Sequence, residues 1–394
     1  MGTSPTVIDV KQSTPQITRG PVRATLLGLI CVFVLGGILV AGLWPFHSPK
    51  NEVTWIRGAN GLQFGDYSTL LSSGAFKAIN AQGGGPCSLE IWLEPSRSYD
   101  SNTILAFYAP GSSRKFSLHQ SLADLKLQSD VSNKRGEARG ALLYVDDLFR
   151  NRKAPFVTLT SNGGQTGVYV DGLPVRPSSQ FPFSSSDFSG ELVVGDSPFQ
   201  PDSWSGRLLG LALYNEELTP AQVSSHYRTW TRNGRPALSA EERNIALYLF
   251  DEHSGDKVRN QAQPGTDLYV PKRYGVLDKL FLERPWSEYR PGWSYWKNIA
   301  INIAGFIPLG FFVCAYLSSV QWVKRAALLT VLLGCAVSLT IEMSQAYLPT
   351  RDSGMTDIFT NTLGTYVGVL FFGCKPIHSL YLAIMGFMRF ARPE

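Results

Sequence analysis

Residues 338–368 read SLTIEMSQAYLPTRDSGMTDIFTNTLGTYVG, and this stretch decides the architecture of the chain. Two apolar runs, each long enough to cross a bilayer, meet here at a short polar turn. An ionisable group at the end of a membrane helix is costly unless it pairs or faces water, so such groups are candidates for function. The polar and charged side chains around the turn are Glu342, Gln345, Arg351, Asp352, Asp357 and Asn361.

Helical spacing arranges these side chains in stripes, because residues three or four apart lie on one face of a helix. The stripe before the turn consists of Ser338, Glu342 and Gln345. The stripe after the turn consists of Asp357, Asn361, Gly364 and Gly368. This second stripe is polar near the turn and small further along, and its GxxxG spacing predicts close contact with another helix.

A third stripe lies upstream and has the same order of polar and then small residues: Asn298, Asn302 and Gly305. We expect the three stripes to meet at one depth and to form a polar pocket. The residues expected to bind a ligand there are Asn302, Gln345, Arg351 and Asn361. Arg351 could pair with Glu342 or Asp357, or its planar guanidinium could hold a phosphate. The alternative is that these residues only join helix ends; a Glu within the membrane favours the pocket.

The composition of the chain limits the number of domains and the classes of partner and cofactor. The 394 residues are enough for two or three domains. The hydrophobic content of 44% is an average over a polar part and an apolar part of the chain. The net charge of +5 is modest and no Lys/Arg-rich block is interleaved with aromatic residues, which argues against a nucleic-acid partner. Of the five cysteines only Cys87 lies outside the apolar runs, which excludes a disulfide framework. Neither CxxC nor HExxH spacing occurs, so we expect no metal and no cofactor.

The first membrane span is predicted at residues 24–44. This stretch has no charge, and about 21 helical residues span about 31 Å, enough for the bilayer core. A cleaved signal peptide is the alternative, but the run is long for a signal core and no cleavage motif follows, so an uncleaved anchor is favoured. Arg19 and Arg23 precede it and place the N-terminus in the cytoplasm. Residues 1–23 lack a hydrophobic period and are predicted to be a disordered cytoplasmic tail.

Residues 52–250 have a different sequence pattern from the apolar span before them. Short alternating or apolar runs recur between clusters of Gly, Pro, Asn and Ser, a pattern typical of an antiparallel β-sandwich or barrel. Residues 168–175 predict a hairpin whose two-residue turn is Asp171 and Gly172. Residues 251–297 are predicted to be a linker, and its closely spaced Trp and Tyr residues indicate an interfacial segment before the next span.

Three more spans are predicted at residues 299–318, 326–347 and 355–373. Four crossings from a cytoplasmic N-terminus place three basic residues in the cytoplasm, in agreement with the positive-inside rule: Lys324, Arg325 and Lys375. The sandwich and the turn at 348–354 then lie outside, and the polar stripes face the outer leaflet. Residues 376–394 are predicted to form an interfacial helix, because a fifth span would be short and would place Arg389 and Arg392 outside.

The motifs in about the last hundred residues resemble those of the VanZ-like membrane protein family. They are IExxQ at residues 341–345 with Arg351 after it, DxxxNTLGxxxG at residues 357–368, and NxxxFxPLG at residues 302–310. The resemblance implies a helical bundle over residues 298–375 in the inner (cytoplasmic) membrane of a bacterium. It also implies a link to resistance against the glycopeptide antibiotic teicoplanin.

Residues 52–250 resemble the laminin-G-like/concanavalin A-like jelly roll. The matching pieces are LEIWLEP at residues 89–95, YVDG at residues 169–172, and GRLLGLALY at residues 206–214 followed by ELTPAQV at residues 217–223. The resemblance implies a multi-domain α and β protein in which a jelly roll is inserted into a transmembrane α-helical bundle. The insert lies between the first and second spans.

Polar residues of the sandwich offer weaker candidates. Glu90, Trp92 and Glu94 alternate along one strand and share a face. They resemble the ExDxE strand of some jelly-roll glycoside hydrolases, but Trp92 replaces the central Asp, so we interpret this face as solvated. Asp171 is interpreted as a turn residue rather than a calcium ligand. The isolated histidines, interpreted as surface or satisfied core residues, are His119, His226 and His253.

Together these features predict an envelope membrane protein that binds a cell-wall or exopolysaccharide precursor, or a glycopeptide antibiotic, at its outer face. Membrane lipids are further partners. The sandwich would contact the glycan and the membrane pocket would hold a polar head group. One alternative is an enzyme acting on a lipid-linked substrate, with Glu342 and Asp357 as candidate acid and base. Another is a structural or assembly protein.

Overall fold

The computed structural model describes residues 20–77, 84–110, 114–132, 138–239, 242–262, 266–288, 293–320 and 325–377, together with 379, 381 and 383. Most of the predicted N-terminal tail and most of the predicted C-terminal interfacial helix lie outside these residues. Chain contacts divide the protein into two units. We call residues 45–280 and 346–352 the sandwich unit, and residues 1–44, 281–345 and 353–394 the helical unit.

Two antiparallel sheets build the sandwich unit. In chain order the strands of its described residues are β1 Thr54–Trp55, β2 Leu62–Phe64, β3 Leu70–Ser72, β4 Cys87–Pro95, β5 Asp100–Tyr108, β6 Arg114–Leu122, β7 Asp124–Ser132, β8 Ala138–Val145, β9 Phe156–Ser161, β10 Thr166–Val170, β11 Leu173–Ser179, β12 Glu191–Val194, β13 Gly206–Tyr214, β14 Asn244–Tyr248, β15 Lys257–Val258 and β16 Leu268–Tyr269. The first sheet runs β1-β2-β13-β4-β9-β10-β11, with β14 also paired to β13. The second runs β15-β16-β3-β12-β5-β6-β7-β8. The predicted antiparallel sandwich is confirmed.

The core between the two sheets follows from alternation along the strands. Leu89, Ile91 and Leu93 of β4 point inward and are fully buried. They belong to one apolar cluster with Leu105 and Phe107 of β5, in the opposite sheet. Burial of each such side chain contributes about 1.5–3 kcal/mol. Because a slip of one residue would turn these side chains outward, the core fixes the register of both sheets.

The outer face of the first sheet is covered by helix α3, Pro220–Asn233. Thr219 and Gln222 form a capping box at its start, and Gly234 ends it with φ 73°. Val223 and Trp230 of α3 pack in a second apolar cluster with residues of β9, β13 and β14. The face that carries Glu90 is therefore not solvated as predicted, because a helix lies over it. This unit also contains α2, the single turn Leu148–Asn151, and a 3-10 helix, Ser185–Phe188.

The hairpin turn predicted at Asp171 and Gly172 is confirmed. Val170 pairs with Leu173 across it, and the two turn residues have φ values of 53° and 76°. Positive φ at both positions is what a two-residue turn between twisted strands requires. Asp171 also accepts a hydrogen bond from the backbone of Phe156 at 3.0 Å, which supports its interpretation as a turn residue.

The second sheet continues beyond residue 250, where the sequence pattern ended the sandwich. β15 and β16 pair with each other, and β16 pairs with β3. Both strands have only two residues, so no alternation reveals them in the sequence. Part of the segment predicted as a linker therefore completes the sheet.

The described residues of the helical unit form α1 Gly20–Leu43, α4 Pro285–Glu288, α5 Trp293–Ser319, α6 Ala326–Gln345 and α7 Met355–Gly373. Among the described residues, three helical segments are long and apolar enough to cross a membrane: Ala24–Leu43, Tyr295–Ser319 and Ala326–Gln345. α7 coincides with the fourth predicted span and has 19 residues. It is not among the three, since polar residues such as Asp357 and Asn361 lower its mean hydropathy.

Helix α7 packs on α5 without intervening side chains. A Cβ atom on Gly364 would overlap the backbone of Ile303, and one on Gly368 would overlap the backbone of Ile307. The close contact predicted from the GxxxG spacing is confirmed. Close backbone approach brings the polar residues of both helices within hydrogen-bonding distance.

The small residue that α5 places in this contact is Gly310 and not Gly305. A Cβ atom on Gly310 would overlap the backbone of Thr365, whereas one on Gly305 would meet no atom within 4 Å. Thr365 is fully buried, and its side chain also lies against Gly334 of α6. Three helices thus meet at Thr365 through two glycines.

Candidate functional site

Glu342 caps the start of α7. Its Oε2 atom accepts a hydrogen bond from the backbone N–H of Gly354 at 2.8 Å, and its backbone oxygen accepts one from Ser353 Oγ at 2.9 Å. The first N–H groups of a helix have no partner within the helix and carry a partial positive charge, so a carboxylate there is stabilising. Glu342 is 1% exposed, and its burial is compensated by this contact.

A second carboxylate serves the same helix end. Glu288 Oε2 accepts a hydrogen bond from the N–H of Thr356 at 3.2 Å. The backbone oxygen of Glu283 accepts from the N–H of Met355 at 2.9 Å. The segment that contains α4 therefore covers the N-terminus of α7. Three successive N–H groups of α7, from residues 354 to 356, find acceptors outside their own helix.

The other predicted residues pair across neighbouring helices. Asn302 Nδ2 on α5 donates to Asp357 Oδ1 on α7 at 2.7 Å. Asn361 Nδ2 on α7 donates to Ser338 Oγ on α6 at 2.9 Å. Asn361 is 5% exposed, and its Oδ1 atom has no hydrogen-bond partner among the described residues. The three predicted stripes do meet, and they meet through hydrogen bonds to one another.

Gln345 joins α6 to α1. Its Nε2 atom donates to the backbone oxygen of Gly42, in the last turn of α1, at 2.8 Å. Arg351 belongs to the sandwich unit, whereas Glu342 and Asp357 belong to the helical unit. The predicted pairing of Arg351 with either carboxylate therefore stays a prediction.

The sandwich unit contains a cleft of about 270 Å³ that the sequence did not indicate. The loop before β3, the start of β5 with the loop before it, the loop before β13 and the segment after β16 contribute to it. Its lining residues are Asp66, Tyr67, Arg97, Asp100, Asn102, Pro201, Asp202, Ser203, Ser205 and Tyr274. The rings of Tyr67 and Tyr274 lie 5.7 Å apart at 59°. Tyr67 is 37% exposed and Tyr274 only 2%, so Tyr274 supports the ring of Tyr67 at the surface.

Hydrogen bonds behind the cleft hold its wall in place. Thr103 Oγ1 donates to Asp202 Oδ2 at 2.5 Å, and the N–H of Asp202 donates to Asp196 Oδ1 at 2.9 Å. Trp204 Nε1 donates to Gln120 Oε1 at 3.0 Å, and Gln120 Nε2 donates to the backbone oxygen of Arg97 at 2.7 Å. The loop that carries Asp202 and Ser203 is therefore fixed to β5 and β6. A preformed wall of this kind lowers the entropy lost when a ligand binds.

Burial controls the ionisation of three groups behind this wall. It raises the pKa of Asp196 to about 7, an effect that the hydrogen bond from the backbone N–H of Asp202 only partly offsets. Burial and the charge of Asp196 raise the pKa of Tyr274 well above its ordinary value, so its hydroxyl remains a donor. Burial, with the charge of Lys126, lowers the pKa of His119 to about 3. His119 is thus neutral, and its ring nitrogens lie 3.1 Å from Thr103 Oγ1 and 2.8 Å from Ser117 Oγ, in keeping with a satisfied core histidine.

A second polar cluster lies between the first sheet and α3. His226 Nδ1 lies 3.2 Å from Glu90 Oε2, and His226 Nε2 lies 3.2 Å from Glu242 Oε2. Tyr214 donates its hydroxyl to Glu90 Oε2 at 2.8 Å. Burial by itself would lower the pKa of His226, but the hydrogen bonds and charges of the two carboxylates together outweigh it and raise that pKa. The side chains of Glu90 and His226 are fully buried, so this cluster fixes α3 on the sheet.

Metal binding finds no support in the described part of the chain. No group of three or more His, Cys, Asp or Glu side chains is arranged there to hold an ion. The carboxylates instead accept hydrogen bonds from backbone N–H groups, hydroxyls and an imidazole.

Two family models match the chain. The VanZ/LLP1 model matches residues 245–375, and the model of the concanavalin A-like lectin/glucanases superfamily matches residues 65–224. The chain carries a VanZ-like domain and a concanavalin A-like domain. Both predicted resemblances are confirmed, and the VanZ-like domain together with the three apolar helices indicates a membrane protein.

Solved structures resemble the concanavalin A-like domain only distantly. The binding domain of Paraclostridial Mosquitocidal Protein 1 is 10% identical, with a TM-score of 0.35 over 46% of this chain and 47% of that one. Domain 4 of AbnA, an extracellular arabinanase from Geobacillus stearothermophilus solved with arabinotriose, is 14% identical, with a TM-score of 0.32 over 45% of this chain and 85% of that one. A Ruminococcus gnavus sialidase domain bound to sialyllactose is 14% identical, with a TM-score of 0.31 over 42% and 95%.

These likenesses extend neither a ligand nor an activity to this chain. The chain spans about half the length of the toxin binding-domain structures that it matches, 47% for the first two. No curated protein matches it. Arguments about function therefore rest on the residues of its two domains.

Sequence reasoning found the polar residues of the VanZ-like domain and missed those of the concanavalin A-like domain. The cleft residues lie in four separate loops and strand ends, and no spacing rule joins them. Glu90 was singled out, but its partner His226 lies 136 residues further along the chain. The sequence does contain one signal for this cluster. The capping box before α3 and the apolar residues on one face of that helix indicate an amphipathic helix that packs on another element.

Proposed function

We propose that this membrane protein binds a saccharide of the bacterial cell envelope through the cleft of its concanavalin A-like domain. The observation that carries the proposal is the cleft itself, in which the exposed ring of Tyr67 is backed by Tyr274 and surrounded by hydrogen-bond acceptors. A sugar ring offers an apolar face for an aromatic side chain and hydroxyl donors around its edge. The name of the matching superfamily, which includes lectins, supports the same chemistry.

The cellular setting is also part of the proposal. The protein would be a multi-pass protein of the inner membrane with its N-terminus in the cytoplasm and its sandwich outside. Its support is the sequence: this orientation would place the basic residues at 19, 23, 324, 325 and 375 in the cytoplasm, as the positive-inside rule expects. The ligand would then be a cell-wall or exopolysaccharide precursor, or a glycopeptide antibiotic such as teicoplanin, met at the outer surface.

For the VanZ-like domain we propose that the polar cluster first holds the helices together. Glu342 and Asp357, the candidate acid and base of the enzyme alternative, already accept hydrogen bonds from Gly354 and Asn302. A further role in binding a polar head group, through Asn302, Gln345 and Asn361, is supported by one atom. The buried Oδ1 of Asn361 is an acceptor without a partner among the described residues.

The test is glycan binding by the full chain in lipid nanodiscs. Wild type, Tyr67→Ala and Tyr269→Ala would be compared on a panel of cell-wall and exopolysaccharide fragments. Tyr269 is the matched control, because it is 39% exposed, close to the 37% of Tyr67, and lies outside the cleft. Loss of an aromatic contact is expected to weaken binding about tenfold in Tyr67→Ala only. Absence of binding to any fragment, or equal weakening in both variants, would overturn the proposal.

A further inference from the structure

The cleft of the concanavalin A-like domain has an unbalanced charge. Three carboxylates line it, those of Asp66, Asp100 and Asp202, against one guanidinium, that of Arg97. Arg97 lies 3.7 Å from Asp100 and offsets that carboxylate. Asp202 accepts a hydrogen bond from the hydroxyl of Thr103. A concave site lined by one sign of charge focuses its field and attracts ligands of the opposite sign.

The hydrogen-bonding groups that line the cleft also favour a positively charged ligand. Asn102 is among the lining residues, and its Oδ1 atom is a buried acceptor without a partner among the described residues. The carboxylates accept only, and Arg97, the one cationic donor in the lining, already lies against Asp100. A ligand that supplies donors suits such a site better than one that supplies acceptors. An ammonium group supplies three donors and a positive charge.

The aromatic residue adds a third contribution. Tyr67 exposes its ring beside the carboxylates, and a cation over the face of a ring is attracted by the ring quadrupole. The same ring can lie against the apolar face of a sugar. The ring and the carboxylates therefore favour the same type of ligand.

We infer that the cleft binds an amino sugar whose amine is free and protonated, in preference to neutral or acidic saccharides. This inference rests on the proposed function, since it names the substrate class of the same cleft. Uronic acids and phosphorylated or sialylated sugars are excluded by repulsion from the carboxylates. N-acetylation keeps the sugar ring and removes the positive charge of the amine. The N-acetylated sugar is therefore the comparison that isolates the contribution of the charge.

The experiment compares three oligosaccharides on the full chain in nanodiscs at low salt with EDTA present. They are a β-1,4-linked glucosamine tetramer, the same tetramer fully N-acetylated, and a tetramer of glucuronic acid. We expect the glucosamine tetramer to bind at least about tenfold more tightly than the N-acetylated one, and the acidic one not to bind. This preference should shrink as salt is added, because exposed charges are screened.

Two variants locate the effect. Asp66→Asn removes an exposed carboxylate of the cleft and is expected to weaken binding of the glucosamine tetramer about threefold to tenfold. Asp256→Asn makes the same change at an exposed position outside the cleft and should change nothing. Equal or tighter binding of the N-acetylated tetramer, lost in Tyr67→Ala, would overturn the charge preference and leave the proposed function standing. Failure of all three tetramers to bind would count against both.

Discussion

The sandwich unit and the helical unit both bury charged and polar side chains, but they do so in different ways. In the helical unit the sequence separations of the partners differ widely: Glu342 and Gly354 are 12 residues apart, whereas Gln345 and Gly42 are 303 apart. In the sandwich unit Glu90 finds its partners Tyr214 and His226 at separations of 124 and 136 residues. The polar residues of the helical unit thus recur at helical spacing along one face of each helix, whereas no spacing links Glu90 to its partners before the sandwich is folded.

The largest effect is expected where two carboxylates share one partner. In His226→Leu, Glu90 and Glu242 would remain buried without the imidazole between them. Loss of one member of a buried charged group costs about 3–5 kcal/mol. We expect the opening free energy of α3, measured by hydrogen exchange on the full chain, to fall by that order. His253→Asn is the control, because His253 is exposed and has φ 57°, a conformation that Asn adopts readily. Equal loss in both variants would contradict a specific role of the cluster.

The same cluster predicts a dependence on pH. The pKa of His226 is raised in the folded protein, so its stabilisation is fully present below about pH 6.5, the pKa of an unfolded histidine. It is lost as the pH rises through the folded value. Protection of α3 should therefore be greater at pH 6 than at pH 9, and His226→Leu should remove that difference. If the protection of α3 differs between pH 6 and pH 9 by the same amount in His226→Leu, groups other than His226 cause the pH dependence.

In the helical unit the larger effect is expected from glycine. Gly364→Ala places a Cβ atom on the backbone of Ile303, and overpacking of this kind costs about 1–3 kcal/mol. Gly305→Ala is the matched control, since the Cβ would meet nothing within 4 Å. We expect a lower thermal unfolding temperature in detergent for Gly364→Ala alone. An equal decrease in both variants would indicate that helix propensity, and not the contact between α5 and α7, limits stability.

These comparisons explain how much of the protein could be predicted. Spacing by three and four residues identified Glu342, Asn361 and Gly364, because a helix converts local sequence into a face. Alternation identified the face of Glu90 but not what covers it. The capping box at Thr219 signals a helix, yet nothing local shows which sheet surface α3 covers. The cleft depends on four distant segments, so Tyr67 and Asn102 could not be brought together without the fold.

The same limit applies to Glu342, whose position was predicted and whose partner was not. The smallest effect is expected here. Glu342→Ala removes the acceptor for the N–H of Gly354 and should cost about 0.5–2 kcal/mol, the range measured for helix caps. Glu342→Gln keeps an acceptor oxygen and loses only the charge at the helix end, which is worth about 0.3–1 kcal/mol. The neighbouring residue Met343, 48% exposed, provides the control Met343→Ala.

Susceptibility of a sensitive host to teicoplanin, measured together with membrane abundance, separates a cap from a binding or catalytic residue. If Glu342 acts as a cap, protection falls with abundance in the order Met343→Ala, Glu342→Gln, Glu342→Ala. If Glu342→Gln loses protection at unchanged abundance, the carboxylate does more than hold α7, and the enzyme alternative regains support. Because Gln preserves the hydrogen bond and removes only the charge and the titration, that single variant distinguishes chemistry from architecture in the helical unit.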